Sequence, residues 1–181
     1  MTQKIQTQWI DETTGMLTTL DVWIVSSMGM CNCVIDTTSV GNVGAGEDDL
    51  ITFTLPAAQL SDNGDYIKIS ARWTFAANAN LKQVKLKFWA TTLYDSTAWN
   101  PNDASWSLEG IVVRTGAATQ KAVTTMTYDT NWLNAFSNNG LDLTSPTETL
   151  SWTVVIKCTG EGVANDDIVQ EWLIVTYFTA V

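Results

Sequence analysis

Few side chains in this 181-residue sequence are of a type that does chemistry, and no histidine is among them. That removes Ser-His-Asp and Cys-His nucleophilic systems, because no other side chain titrates near neutrality unperturbed, and it removes histidine-ligated metals. Neither a G-x-x-x-x-G-K-S/T phosphate loop nor a G-x-G-x-x-G dinucleotide fingerprint occurs. What remains is the paired-carboxylate arrangement of glycosidases, for which Asp62 with Asp65, Asp103 with Glu109, and Asp166 with Asp167 are the candidates. Each lies in or beside a turn, where Asp ordinarily accepts backbone hydrogen bonds. The expectation is a non-enzymatic chain with no catalytic residues, cofactor or metal. Turn carboxylates also suit calcium, with Glu47-Asp48-Asp49 and Asn165-Asp166-Asp167 as ligand sources. Neither run matches the spaced D-x-D/N-x-D/N-G loop, so both are read as solvated acidic turns.

Three cysteines, Cys31, Cys33 and Cys158, give an odd count. Cys31 and Cys33 stand two apart and share one face of a strand; the C-x-x-C redox or zinc spacing is absent. Buried free thiols are the main expectation and a Cys33–Cys158 bridge the alternative.

The nine tryptophans carry the binding potential. Trp73 lies on the apolar side of its strand, and Trp152 alternates with Val154 and Ile156, which assigns both to the core. Trp89 falls on the face of Lys85 and Lys87, and Trp99 and Trp106 flank the loop Asn100-Pro101-Asn102-Asp103. Exposed aromatics beside Asn and Asp make sugar-binding platforms, and protein interfaces enrich them too. Trp89, Trp99, Asn100, Asp103 and Trp106 are therefore the candidate interface or glycan-binding residues.

These side chains are positioned by strands. Tyr66–Phe75 alternates, with Ile67, Ile69, Ala71, Trp73 and Phe75 on one side and Lys68, Ser70, Arg72 and Thr74 on the other; Leu81–Trp89 repeats the pattern. The short, Asn-bearing run 76–80 between them predicts a hairpin. Further strands are expected at Leu50–Leu55, Ser105–Arg114, Gln120–Tyr128, Leu150–Cys158 and Ile168–Phe178, the last apolar on both faces as in a strand covered on two sides. Asn131–Phe136 hints at one helical turn. Asp62-Asn63-Gly64-Asp65, Asn138-Asn139-Gly140 and Gly160-Glu161-Gly162 punctuate the pattern as turns. Strands separated by turns indicate an antiparallel β-sandwich or barrel.

The first 49 residues read differently. Gln6–Ile10 and Leu17–Val25 predict two strands joined around Thr14-Gly15, and Gly41–Gly46 reads as a flexible linker. Domain boundaries follow: an N-terminal arm or hairpin with its linker over 1–49, carrying Trp9, Ile10 and Trp23 as candidate docking residues, and a β-sandwich over 50–181.

Composition bounds the partners. Hydrophobic residues make up 45% and charged residues 15%, below the usual quarter. A sparsely charged surface suits coverage by other chains. Nineteen Asp and Glu against nine Lys and Arg give a net charge of −10, which repels phosphate backbones and acidic membranes. No apolar run approaches the roughly 20 residues that span a bilayer, and Met1–Asp11 lacks the order of a signal peptide. Nucleic-acid binding and membrane insertion are not expected, and synthesis in a cytoplasm is.

The segments Thr54-Leu55-Pro56-Ala57-Ala58-Gln59-Leu60, Asp62-Asn63-Gly64-Asp65, Ile69–Asn80 and Glu109–Gln120 resemble tailed-bacteriophage virion proteins. They look like the jelly-roll modules of head decoration, spike and tail-fibre proteins, and the likeness covers about residues 50–178. The resemblance implies a jelly-roll-like sandwich, often trimeric, in a virion, with no catalytic residues to carry over. It implies a decoration (cement) or head-spike protein that contacts the major capsid protein, or another virion protein, through its N-terminal arm and associates with itself as a homotrimer. The alternative it implies is a tail-fibre or spike receptor-binding module recognising a host surface glycan.

Overall fold

The computed structural model describes residues 2–10, 17–25, 31–130 and 137–180. Two compact units divide the chain, Met1–Met30 with Val181, and Cys31–Ala180. In the first, β1 (Thr2–Ile10) and β2 (Leu17–Val25) pair antiparallel, with Thr2 opposite Val25 and Ile10 opposite Leu17. The expected turn at Thr14-Gly15 and the helical hint at Asn131–Phe136 lie outside the described residues.

The second unit contains β3 (Cys31–Asp36), β4 (Val40–Gly41), β5 (Gly46–Leu55), β6 (Tyr66–Phe75), β7 (Gln83–Phe88) and β8 (Thr91–Asp95). There follow β9 (Ala104–Gly116), β10 (Thr119–Thr130), β11 (Ser137–Thr144), β12 (Val154–Gly162) and β13 (Ile168–Phe178). One sheet runs β11-β10-β9-β6-β13-β3, with β4 on the same side of β13 as β3; the other runs β5-β12-β7-β8. All of these pairings are antiparallel. The chain changes sheet at β4–β5, β5–β6, β6–β7, β8–β9, β11–β12 and β12–β13. Without the added strands β10 and β11, the orders reduce to β3/β4-β13-β6-β9 facing β5-β12-β7-β8. That is the jelly-roll form of the double antiparallel sheet, as expected.

Period-two patterning builds the core, since alternate side chains of a strand point to opposite faces. Ile67, Ile69, Ala71, Trp73 and Phe75 of β6 and Leu108 and Val112 of β9 are buried, as are Val84, Leu86 and Phe88 of β7 and Val154, Ile156 and Cys158 of β12. On β13 the inward residues Ile168, Leu173 and Val175 are buried, whereas the outward Val169, Trp172, Ile174 and Phe178 are half-buried, so its second apolar face is only partly covered.

Two expectations are corrected. β6 and β7 do not form a hairpin: β6 pairs with β9 and β13, and β7 with β8 and β12 in the opposite sheet. Alternation reports which face is buried but not which sheet a strand joins, and the 76–82 connection is held across the end of the sandwich by buried polar groups. Gly41–Gly46 is not a free linker either. β3 and β4 pair with β13, and β5 runs unbroken through the expected 49/50 boundary, so the division falls at Met30/Cys31.

Gly110 of β9 shows how closely the sheets approach. A Cβ there would stand 3.2 Å from Leu86 Cδ2 of the facing sheet and 3.4 Å from Thr124 Cγ2. Gly110→Leu is expected to overpack this contact and lower stability by about 1–3 kcal/mol, read as a lower urea midpoint; an unchanged midpoint would mean that the sheets are looser than described.

Candidate functional site

Most of the candidate carboxylates are engaged by backbone, side-chain amide, hydroxyl or ammonium donors. Asp65 is buried and accepts from the N–H groups of Asp62 (2.8 Å) and Ala180 (2.6 Å), which closes the Asp62–Asp65 turn. Glu109 accepts from Ser70 Oγ and pairs with Lys68 at 3.3 Å on an outer sheet face. Asp103 lies exposed in its loop with φ of 50°. Of the supposed calcium ligands, Glu47 pairs with Lys85 (2.6 Å) and Lys87, Asp49 with Lys157 (2.7 Å), and Asp48 accepts from Val43 N–H (2.8 Å).

Asp167 organises the densest polar cluster. Its buried carboxylate accepts from Asn78 Nδ2 (2.7 Å), Asn80 Nδ2 (3.0 Å) and the N–H groups of Val163 (2.9 Å) and Ala164 (2.8 Å). Asn78 turns its amide oxygen to Lys82 Nζ at 2.8 Å, so one side chain bridges a buried anion and a buried cation. Lys82 also donates to the carbonyls of Asn80 (3.1 Å) and Pro101 (3.3 Å). Burial opposes ionisation of Asp167, but the hydrogen bonds from Asn78, Val163, Ala164 and Asn80 outweigh it and bring its pKa from 3.8 to about 2. For Glu47 too, burial is outweighed by hydrogen bonds from Lys85 and Lys87, and its pKa falls from 4.5 to about 2. Desolvation lowers the Lys82 pKa against the opposing pull of Asp167. With no open position and no unsatisfied donor set, this cluster is a structural clamp.

The tryptophans fall differently from expectation. Trp73 is core, as expected, and Trp106 joins it: it is 3% exposed, with its ring stacked on Trp73 at 4.4 Å and on Phe75 at 5.1 Å. Its place on β9 explains this, since Ala104, Trp106, Leu108 and Val112 share the inward face. Trp99 is partly buried, edge-on to Phe75 (5.8 Å) and tilted against Tyr128 (4.9 Å). Trp99 and Trp106 thus form no open platform, although Asn100 and Asp103 remain exposed between them. Trp89 is exposed (52%), as expected, but Trp152 is more so (74%) and is not core. The reason is local: Trp152 sits in a turn whose N–H bonds Thr149 O, and β12 begins only at Val154. Trp89 and Trp152 line one cleft of about 330 Å³ with Glu148, Thr149, Thr153 and Val154. In the first unit, Trp9 is opposite Thr18 and Trp23 opposite Lys4, and Ile10 closes β1; their side chains lie outside the described residues.

The two outer sheet faces differ. That of the four-stranded sheet carries the ion pairs of Glu47, Asp49, Lys85, Lys87 and Lys157. On the seven-stranded sheet, Ile111 stands opposite Val123 and Val123 opposite Leu143, and Leu143 is 78% exposed. Ile35 stands opposite Ile174 on the same face, and Tyr66 stacks on Phe178 at 4.4 Å.

Cys33 is free and exposed on β3, and Cys158 is free and buried on β12 in the other sheet, so the Cys33–Cys158 alternative is excluded. Burial pushes the Cys158 thiol well up, only partly offset by a hydrogen bond with Gln170.

No protein-family model matches the sequence, and no curated protein is similar to it. Among solved structures, the CBM2 module of the evolved Dit of Lactobacillus casei BL23 phage J-1 is similar at 10% identity and a TM-score of 0.33, over 72% of this chain and 69% of that one. Infectious bursal disease virus, Gx strain, is similar at 10% identity and a TM-score of 0.30, over 98% of this chain and 47% of that one. A. japonicus CB05 follows at 9% and 0.33, over 99% and 34%. Likenesses this distant carry no functional inference, and the jelly-roll assignment rests on the strand order of this chain.

Two measurements check this geometry. Because Asp167 and Glu47 have folded pKa values below their unfolded ones, their contribution is complete above about pH 4.5 and is lost as pH falls toward 2. Stability in urea is expected to decline over that window; Asp167→Asn should cost about 1–3 kcal/mol at pH 7 and flatten the decline, whereas an unchanged slope would refute the Asp167 contribution. Alkylation of the native protein without reductant should modify Cys33 and spare Cys158 until denaturant is added, as read by peptide mass mapping.

Proposed function

We propose that this chain is a non-enzymatic structural protein of a virion, a head decoration (cement) or head-spike protein. It associates with further copies of itself as a trimer and binds the shell, through the major capsid protein, with its β1–β2 hairpin. The jelly-roll strand order and the sequence resemblance over residues 50–178 support the reading. The observation that carries it is the outer face of the seven-stranded sheet. Its row Ile111–Val123–Leu143 is apolar, and its charges, Lys68, Arg72 and Lys121 against Glu109, Glu171 and, by register opposite Ser105, Asp129, balance and so do not share the acidity of a chain with net charge −10. That face lets two acidic copies approach without charge repulsion, and closed symmetry repeats the contact. The second contact falls to the β1–β2 hairpin, a compact unit of its own.

The alternative, a tail-fibre or spike module that recognises a host glycan, loses its platform at Trp99–Trp106. What favours it is the exposed pair Trp89 and Trp152.

Sedimentation velocity and light scattering on the full chain are expected to show a trimer that Ile111→Lys with Leu143→Lys converts to monomer. Trp9→Asp with Trp23→Asp should abolish co-sedimentation with stripped heads of the parent virion and leave the trimer intact. A strictly monomeric wild type that ignores those heads would overturn the reading.

A further inference from the structure

We infer that the cleft between Trp89 and Trp152 is a binding site for a neutral saccharide, with the two indoles as stacking surfaces and Glu148 as the hydroxyl acceptor. The inference rests on the second reading above and supplies its ligand chemistry; it does not depend on the assembly reading, whose self-association residues Ile111, Val123 and Leu143 lie on the other sheet.

Three features separate this cleft from two stray surface aromatics. The first is the backbone of Trp89. It holds a φ of 54°, in the left-handed region that bulky residues rarely occupy, and its N–H is fixed to Val155 O at 2.7 Å. Left-handed backbone at a bulky residue is strained and persists only where the surroundings enforce it. It keeps the indole at the tip of the β7–β8 turn and 52% exposed. Trp152 answers it from the turn before β12.

The second is Glu148. Its peptide group is gripped at both ends by one buried side chain: Gln120 Nε2 donates to Glu148 O at 2.9 Å, and Glu148 N–H donates to Gln120 Oε1 at 3.0 Å. Its carboxylate then accepts from Thr91 Oγ1 through Oε1 at 2.8 Å, and Oε2 has no partner among the described residues. A carboxylate with fixed backbone, one oxygen engaged and the other available is a preorganised acceptor.

The third is the match to a ligand. The cleft, about 330 Å³, is within the usual range of small-molecule sites, roughly 300–1,000 Å³. Indole faces take the C–H face of a sugar ring, while Glu148 and the hydroxyls of Thr149 and Thr153 meet its hydroxyls. An anionic sugar is disfavoured by Glu148 and by the net charge of −10. A quaternary ammonium, the other ligand that aromatics with a carboxylate hold, wants rings on more sides than the two present.

The test is calorimetry with two-dimensional NMR of the indole N–H groups on the full chain. The probes are maltohexaose, cellohexaose, chitotetraose and mannotetraose at millimolar concentration, with sialyllactose and choline chloride as charged comparators. At least one neutral oligosaccharide is expected to shift the Trp89 and Trp152 resonances. Trp152→Ala and Trp89→Asn, the latter tolerant of the left-handed backbone, should each weaken it by about tenfold or more. Glu148→Gln should weaken it less, because an amide oxygen still accepts. Neutral sugars that leave both resonances unmoved, binding that survives both tryptophan variants, or preference for choline overturns the inference. A trimer that dissociates in Trp152→Ala assigns the tryptophans to self-association and overturns it too. Saccharide binding by a sugar absent from the host surface leaves the cleft standing and refutes only the receptor reading.

Discussion

The buried Asp167 carboxylate is the constraint around which one end of the sandwich is arranged. A jelly roll sends its chain repeatedly from sheet to sheet, and each crossover takes backbone groups out of the strand ladders. Four of those crossovers meet here: β4–β5 through Asn42, β6–β7 through Asn78 and Asn80, β8–β9 through Pro101, and β12–β13 through Ala164 and Asp167 itself. Asn42, also buried, donates to Gly44 O and Ala164 O and accepts from Ile168 N–H. Withdrawing a carboxylate from water is costly unless hydrogen bonds replace the lost hydration, so the fold is stable only with all these loops in place together. The crowding leaves no room for a side chain at one neighbour: a Cβ on Gly162 would meet Asn42 Nδ2 at 2.6 Å and Asp167 Cβ at 2.8 Å.

That clamp contrasts with the region around the β7–β8 turn and the approach to β12. There polar side chains hold backbone in place but leave aromatic surface uncovered. Gln120 does for Glu148 what Asn78 does for Lys82, bonding in two directions at once, yet the group it fixes faces a cleft instead of the interior. A polar group that is both immobilised and accessible suits recognition, since ordering it costs little when a ligand arrives.

Much of the core was legible in the sequence, and the assembly of the strands was not. Tyr66–Phe75 has the expected bounds and the expected buried set, because alternation along one strand is a local property. Which strand lies beside it is not local: the Asn-rich 76–80 run reads as a hairpin turn until Asp167, some 90 residues away in sequence, claims its amides. Strands β3, β4, β8 and β11 are short or polar and offered no period to read. The tryptophans exchanged roles for reasons of register. Trp106 carried its signal in the Ala104-Trp106-Leu108-Val112 spacing, outvoted by the polar loop before it, whereas Trp152 keeps the phase of Val154 and Ile156 but precedes the strand that would have turned it inward. The paired role of Gln120 and Glu148 had no local signature at all.

The edges of the two sheets give the last step. An unpaired strand edge invites another chain, and proteins block such edges with charge or leave them for use. The β5 edge of the four-stranded sheet opens on Glu47-Asp48-Asp49, and the outer face beside it is spent on ion pairs with Lys85, Lys87 and Lys157. Exposed pairs like these add little stability, but they leave that surface well solvated and poor at sheet-to-sheet contact. On the seven-stranded sheet the outermost strands do the reverse, with Val34 and Ile35 exposed on β3 at one side and Leu143 on β11 at the other. The two extra strands β10 and β11 therefore enlarge the very sheet that offers apolar surface, which is what an added hairpin contributes if the face is meant to be covered by another copy.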